Sequence, residues 1–92
     1  MKKITKNQAW EKFKKGETIY LLPSKANLNS MWVSPYSLTK ESYEENSIYK
    51  NLFDFFNCML NAYSYYNCNP KTGKRIAFYV KEVKVWQHIY VN

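Results

Sequence analysis

The sequence predicts an α+β domain, a small antiparallel sheet of four to five strands with two helices packed on it. Three observations carry this expectation. Residues 5–16 hold helix start and stop signals around an apolar face, and residues 48–62 repeat apolar side chains at helical period. Around them lie short runs rich in β-branched and aromatic residues, bounded by proline and glycine. With 92 residues the chain removes about 60 to 65% of its unfolded surface from water, enough for one domain spanning 1–92 and too little for two.

The first helix is announced by Thr5, which with Gln8 three residues on fits a capping box, and by Ile4 and Ala9, which fit a hydrophobic staple. Ala9, Trp10 and Phe13 form its apolar face, Gly16 supplies a left-handed stop, and the other face is mostly lysine. ETIYLL, 17–22, reads as a strand closed by Pro23, which has no N–H to donate to a ladder. SKANLNS is a loop. MWVSPY, 31–36, reads as a second strand pairing antiparallel with the first, with Pro35 pushing it towards an edge or bend.

KESYEEN, 40–46, is a polar loop or short helical turn. Ser47 is the expected cap of a second helix over 48–62, the spine of the core, with Ile48, Leu52, Phe55 or Phe56, Met59 and Tyr63 on one side. This stripe is what any amphipathic helix must show, so it is read as core and not as a ligand box. YSYYNCN and KRIAFYV, separated by Pro70 and Gly73, are expected to form a hairpin with NCNPKTGKR, 67–75, at its tip. The alternation Ile76, Phe78, Val80 shifts phase to Val83, Val85, Ile89 and Val91, which implies a bulge near Lys81 and Glu82.

The net charge of +7 is uneven. Residues 1–16 set six lysines against Glu11 for a local +5, residues 71–84 set five cations against Glu82 for +4, and residues 41–54 set four carboxylates against Lys50 for −3. Such asymmetry attracts a polyanion or an acidic protein surface to one part of the molecule. For any single lysine, a solvated surface position is the simpler explanation. No run approaches the roughly 20 apolar residues that span a bilayer, and MKKITKNQAW has no apolar segment after its charged start, so no membrane contact and a cytoplasmic location are expected. Cys58 and Cys68 are accordingly expected as reduced thiols.

Catalysis and cofactors find little support. TGKR, 72–75, resembles the end of a P-loop, but the leading glycine is missing and strand follows where a phosphate-binding helix should start, so nucleotide hydrolysis is rejected. Zinc needs three or four convergent donors, and Cys58, Cys68 and the single His88 lack the usual tight spacing. A composite site using Asp54, Cys58 and Cys68 or His88 stays open beside the commoner reading of cysteines as small hydrophobes. A Cys–His nucleophile pair meets only in space, and His88 beside Trp86 and Tyr90 is explained by a half-exposed sheet face. No enzyme and no cofactor are expected.

Binding is therefore the working class. Lys71, Lys74, Arg75, Tyr79, Lys81, Lys84 and Trp86 are the candidate surface, with Tyr90 beyond them and Tyr63, Tyr65 and Tyr66 expected on the neighbouring strand. Cations and rings interleaved in this way suit single-stranded nucleic acid, where bases stack and lysines track phosphates, or a protein interface anchored by Tyr, Trp and Arg. Most of these aromatics are also needed as core in so small a domain.

ITKNQAWEKFKKGETIYLLPSK, NSMWVSPY, YYNCN and GKRIAFYV together resemble small accessory proteins carried by phages and mobile elements of low-GC bacteria, among them genes of anti-CRISPR loci directed at Cas9. The abundance of Lys, Asn, Tyr and Ile agrees with that origin. The resemblance covers most of the chain and implies a class without a site. What it implies is a non-enzymatic inhibitor that occupies a Cas9-type effector protein or its guide RNA in the bacterial cytoplasm. A basic chain does not imitate DNA, so contact with an acidic protein surface, the guide RNA or both is expected. The alternative is a small basic nucleic-acid-binding accessory protein. A phage structural component has only size in its favour.

Overall fold

The computed structural model describes residues 1–26, 34–45, 48–68 and 75–81, and within them the chain forms a four-stranded antiparallel sheet with three helices. The strands are β1 (Lys2–Ile4), β2 (Ile19–Pro23), β3 (Tyr36–Leu38) and β4 (Ile76–Val80); the helices are α1 (Lys6–Lys14), α2 (Lys40–Glu45) and α3 (Leu52–Asn67). The sheet order is β1-β4-β2-β3. The last described strand thus lies between the first two, with Lys3 opposite Tyr79 and Tyr20 opposite Tyr79 across its two edges.

α1 forms as expected. The Gln8 N–H donates to Thr5 Oγ1 at 3.2 Å and the Thr5 N–H donates to Gln8 Oε1 at 3.0 Å, closing the capping box. Its far end closes as a Schellman motif: the Gly16 N–H reaches the Phe13 carbonyl at 3.0 Å and the Glu17 N–H reaches the Lys12 carbonyl at 3.1 Å. That turn needs the positive φ of +96° that Gly16 adopts. Ile4 and Ala9 both join the main core.

α1 packs on β4 and β2, and α3 on β2, so both lie on one face of the sheet. Ile19 and Leu21 of β2, Leu38 of β3 and Phe78 and Val80 of β4 point to this face by strand alternation, and meet Phe13, Phe55, Phe56 and Leu60 from the helices. The rings interlock: Phe13 lies 5.1 Å from Phe56 and 6.2 Å from Phe55, centroid to centroid. Each such ring, fully buried, contributes about 1.5 to 3 kcal/mol of transfer free energy. Tyr43 of α2 adds a contact to Phe55 at 5.6 Å.

Several expectations need correction. The second helix begins at Leu52 under an Asn51 cap, whose Oδ1 accepts the Asp54 N–H at 2.8 Å; Ile48, expected in the core, is 84% exposed. Residues 63–67, expected as a strand, continue α3, because Tyr63 is buried one turn beyond Leu60 and Met59 and extends the same apolar side. The expected hairpin is therefore absent, and β4 pairs with β1 and β2 instead. The segment 67–75 joins a helix to a strand, its residues 69–74 lying outside those described.

Of the strand expected at 31–36, Tyr36 opens β3 (Tyr36–Leu38), just after Pro35, and β3 pairs with Ile19–Leu21 as the expected antiparallel partner. Residues 31–33 fall outside the described set, as do Glu82 and the phase shift at 83–91. KESYEEN forms the short α2 through Glu45, in keeping with the short helical turn expected there, beside the two longer helices α1 and α3.

Candidate functional site

Strand alternation divides β4 into two sets. Ile76, Phe78 and Val80 face the helices, so Ala77 and Tyr79 face the other side, with Arg75 and Lys81 at the same parity just beyond the strand ends. The register carries this side across the sheet. Lys3 of β1, Tyr79 of β4, Tyr20 of β2 and Ser37 of β3 stand in one row, and Leu22 lies opposite Ala77.

Of the seven residues expected from the sequence, the structure brings Arg75, Tyr79 and Lys81 onto this one side. Lys71, Lys74, Lys84 and Trp86 lie outside the described residues. Lys3 and Tyr20 join the surface without having been expected. No local signal marks Lys3 as a strand residue, because three residues form β1 only through their pairing with β4.

The three cations Lys3, Arg75 and Lys81 are exposed. The ion pairs among the described residues, Lys12–Glu17 at 3.7 Å and Lys14–Glu11 at 3.0 Å, both belong to α1 and its cap and involve none of the three. Arg75 and Lys81 are six residues apart along an extended chain, roughly 20 Å. That exceeds two Debye lengths at physiological salt, so the two ends of β4 act as separate charged contacts.

Tyr79 corrects the expectation of a stacking platform. It is 8% exposed and packs with Leu22, Ala77, Tyr20 and Ala26 in a second apolar cluster. Its ring is committed to holding β4 beside β2, leaving the cations around it as the accessible part. Tyr63, Tyr65 and Tyr66, expected on a neighbouring strand, lie on α3. Tyr63 is buried, while Tyr65 and Tyr66 are exposed at the helix end, and Tyr66 lines a hollow of about 150 Å³ with Tyr36, Met59, Ala62, Tyr63 and Asn67.

Arg75 is positioned by its own backbone. Its carbonyl accepts from the Ser24 N–H at 3.0 Å and from the Cys68 Sγ at 3.1 Å. The thiol at the end of α3 thereby ties the helix to the start of β4. Burial pushes the Cys68 pKa up, partly countered by a hydrogen bond from Ser64, so near neutral pH the sulfur is a neutral donor.

Cys58 and Cys68 are both free thiols and half-buried. Among the described residues no three His, Cys, Asp or Glu side chains gather as metal ligands; His88, the histidine of the composite zinc and Cys–His alternatives, lies outside them. Among the described residues no helix is long and apolar enough to cross a membrane.

Set beside known proteins, the chain matches no family model, no curated protein and no solved structure.

Proposed function

We propose that this protein acts by occupation, without chemistry of its own, as an inhibitor of a bacterial defence nuclease of the Cas9 type, engaging the effector protein, its guide RNA or both. The observation that supports it is the grouping of Lys3, Arg75 and Lys81, far apart in sequence, around one side of the sheet. Exposed cations that belong to no ion pair among the described residues, held around one side of the sheet, meet an anionic partner with little reorganisation beyond their own rotamers. A guide-loaded effector presents charged channels and must move to cleave, and both are open to obstruction. Net positive charge fits an RNA or acidic protein contact and not imitation of DNA.

The test is co-purification with a guide-loaded Cas9-type effector, with and without nuclease treatment, alongside a cleavage assay at stoichiometric protein. Retention after nuclease treatment supports a protein contact, and loss supports the guide. The triple variant Lys3→Glu, Arg75→Glu, Lys81→Glu, checked for an unchanged melting temperature, should lose retention and inhibition together. A folded triple variant that still inhibits would exclude this surface. Unimpaired cleavage with the wild-type protein overturns the inhibitor reading in favour of a nucleic-acid-binding accessory protein. In that case three phosphate contacts give a log–log salt slope near −2 on single strands, which the triple variant abolishes.

A further inference from the structure

On the helix side, away from the cations of the sheet, α1 and α3 run antiparallel with a groove between them. The direction follows from the contacts. Lys6 lies with Asn57, Leu60 and Asn61 around one hollow, whereas Trp10, one turn further along α1, meets Phe53, one turn earlier on α3. Lys6, Trp10 and Lys14 therefore form one wall at i, i+4, i+8, and Phe53, Asn57 and Asn61 form the other with the same spacing.

The hollow holds about 200 Å³, with Leu60, Ile76 and Phe78 as an apolar floor and Lys6, Asn57 and Asn61 around it. That is below the roughly 300 to 1,000 Å³ of sites that enclose drug-sized ligands, so it suits a single planar ring and not a whole cofactor. Beside it Phe53 is 54% exposed, its ring held edge-on against Trp10 at 5.0 Å. A large apolar side chain fixed by an aromatic neighbour yet open to solvent offers a π-face at small entropic cost.

The charges around the groove favour an anion. α1 has no acidic residue in its first turn. Glu11 is engaged by Lys14 at 3.0 Å, and Asp54 sits in the first turn of α3, facing that helix's positive dipole end. Lys6 is exposed and belongs to neither of the ion pairs among the described residues.

An apolar floor, two amides able to donate and accept on a base edge, a neighbouring exposed ring and one cation are the parts that single-strand recognition uses. We infer that the α1–α3 groove takes an unpaired base of a single-stranded nucleic acid, with Asn57 and Asn61 on the base edge, Phe53 stacking on the adjacent base and Lys6 on the phosphate. This deepens the reading above, on which it rests for its anionic partner, by naming unpaired nucleic acid as what is touched.

The test is fluorescence anisotropy of labelled homopolymer RNA and DNA single strands, and of a blunt duplex of equal length, with the full chain. Wild type should bind single strands more tightly than duplex. Phe53→Leu should weaken single-strand binding about five- to a hundred-fold, the range of one stacked ring, and leave duplex binding unchanged. Lys6→Gln should flatten the salt slope by about 0.7, and Asn57→Leu should change the ranking of the homopolymers. Melting temperatures within about 2 °C of wild type keep these effects local.

Wild type that ignores single strands, or a folded Phe53→Leu that binds like wild type, overturns the inference. So does a Phe53-dependent affinity for polyglutamate that exceeds the affinity for nucleic acid, which would make the partner an acidic protein. Oligonucleotide binding absent while the effector complex is still retained removes the groove proposal alone. Oligonucleotide binding present while the effector goes free and uninhibited removes the nuclease reading alone.

Discussion

Replacing Gly16 by alanine isolates one cause of stability in this fold, because the usual cause is missing. A Cβ built at Gly16 meets nothing within 4 Å, so no clash accompanies the change. What remains is the backbone: φ is +96°, and the two Schellman hydrogen bonds at 3.0 and 3.1 Å hold it there. An L-residue in left-handed geometry costs about 1 to 2 kcal/mol. Losing glycine's freedom in the unfolded chain returns about 0.4 to 1 kcal/mol. The net loss is about 1 kcal/mol, and for a domain of this size the melting temperature should fall about 4 to 8 °C.

Urea and thermal unfolding of L-alanine and serine variants should give the same loss, since open space makes side-chain size irrelevant. D-alanine, introduced by chemical ligation, prefers positive φ and should stabilise instead. If Gly16→Ala costs nothing, or if the D-residue is as harmful as the L-residue, the assignment of this turn to backbone geometry is wrong.

The remaining predictions concern caps and an ionisation. Thr5→Ala should cost about 1 kcal/mol by removing the acceptor of the Gln8 N–H, and Thr5→Ser should restore most of it; equal loss in both would mean the methyl matters more than the oxygen. Asn51→Ala should cost about as much at the start of α3, read by urea midpoint, and Asn51→Asp should retain the cap; an unaffected alanine variant would contradict the helix start at Leu52. Burial, reinforced by the charge of Cys68, pushes the Tyr63 phenol up to about 12. The unfolded phenol ionises near 10, so this contribution is intact below about pH 10 and is lost as pH rises towards 12. Tyr63→Phe should therefore lose less stability than wild type between about pH 10 and 12; parallel curves would refute the shift.

Legibility in the sequence followed the range of the interactions. Every signal for α1 lies within five residues of the position that it controls: Thr5 to Gln8, Lys12 to Glu17, the left-handed Gly16. Such signals survive translation into structure because their partners are already adjacent. YSYYN shows the opposite case. Tyrosine favours strands, but its propensity is worth fractions of a kcal/mol, and the gain from burying Tyr63 next to Leu60 exceeds it. Ile48 fits the apolar repeat as well as Leu52 does, yet it stands 84% exposed, and periodicity carries no information about where a helix starts.

The candidate surface divides in the same way. Arg75, Tyr79 and Lys81 share a side because strands alternate, a rule that sequence spacing already contains. Their neighbours were decided elsewhere. Lys3 and Tyr20 stand beside Tyr79 only because β4 enters between β1 and β2. Composition, charge and local caps determined that this chain would be basic and α+β, with a capped first helix. The tertiary structure alone decided that Lys3 would stand beside the strand flanked by Arg75 and Lys81 and that the groove between α1 and α3 would exist. Those features arise from contacts between residues more than forty positions apart, which no local pattern encodes.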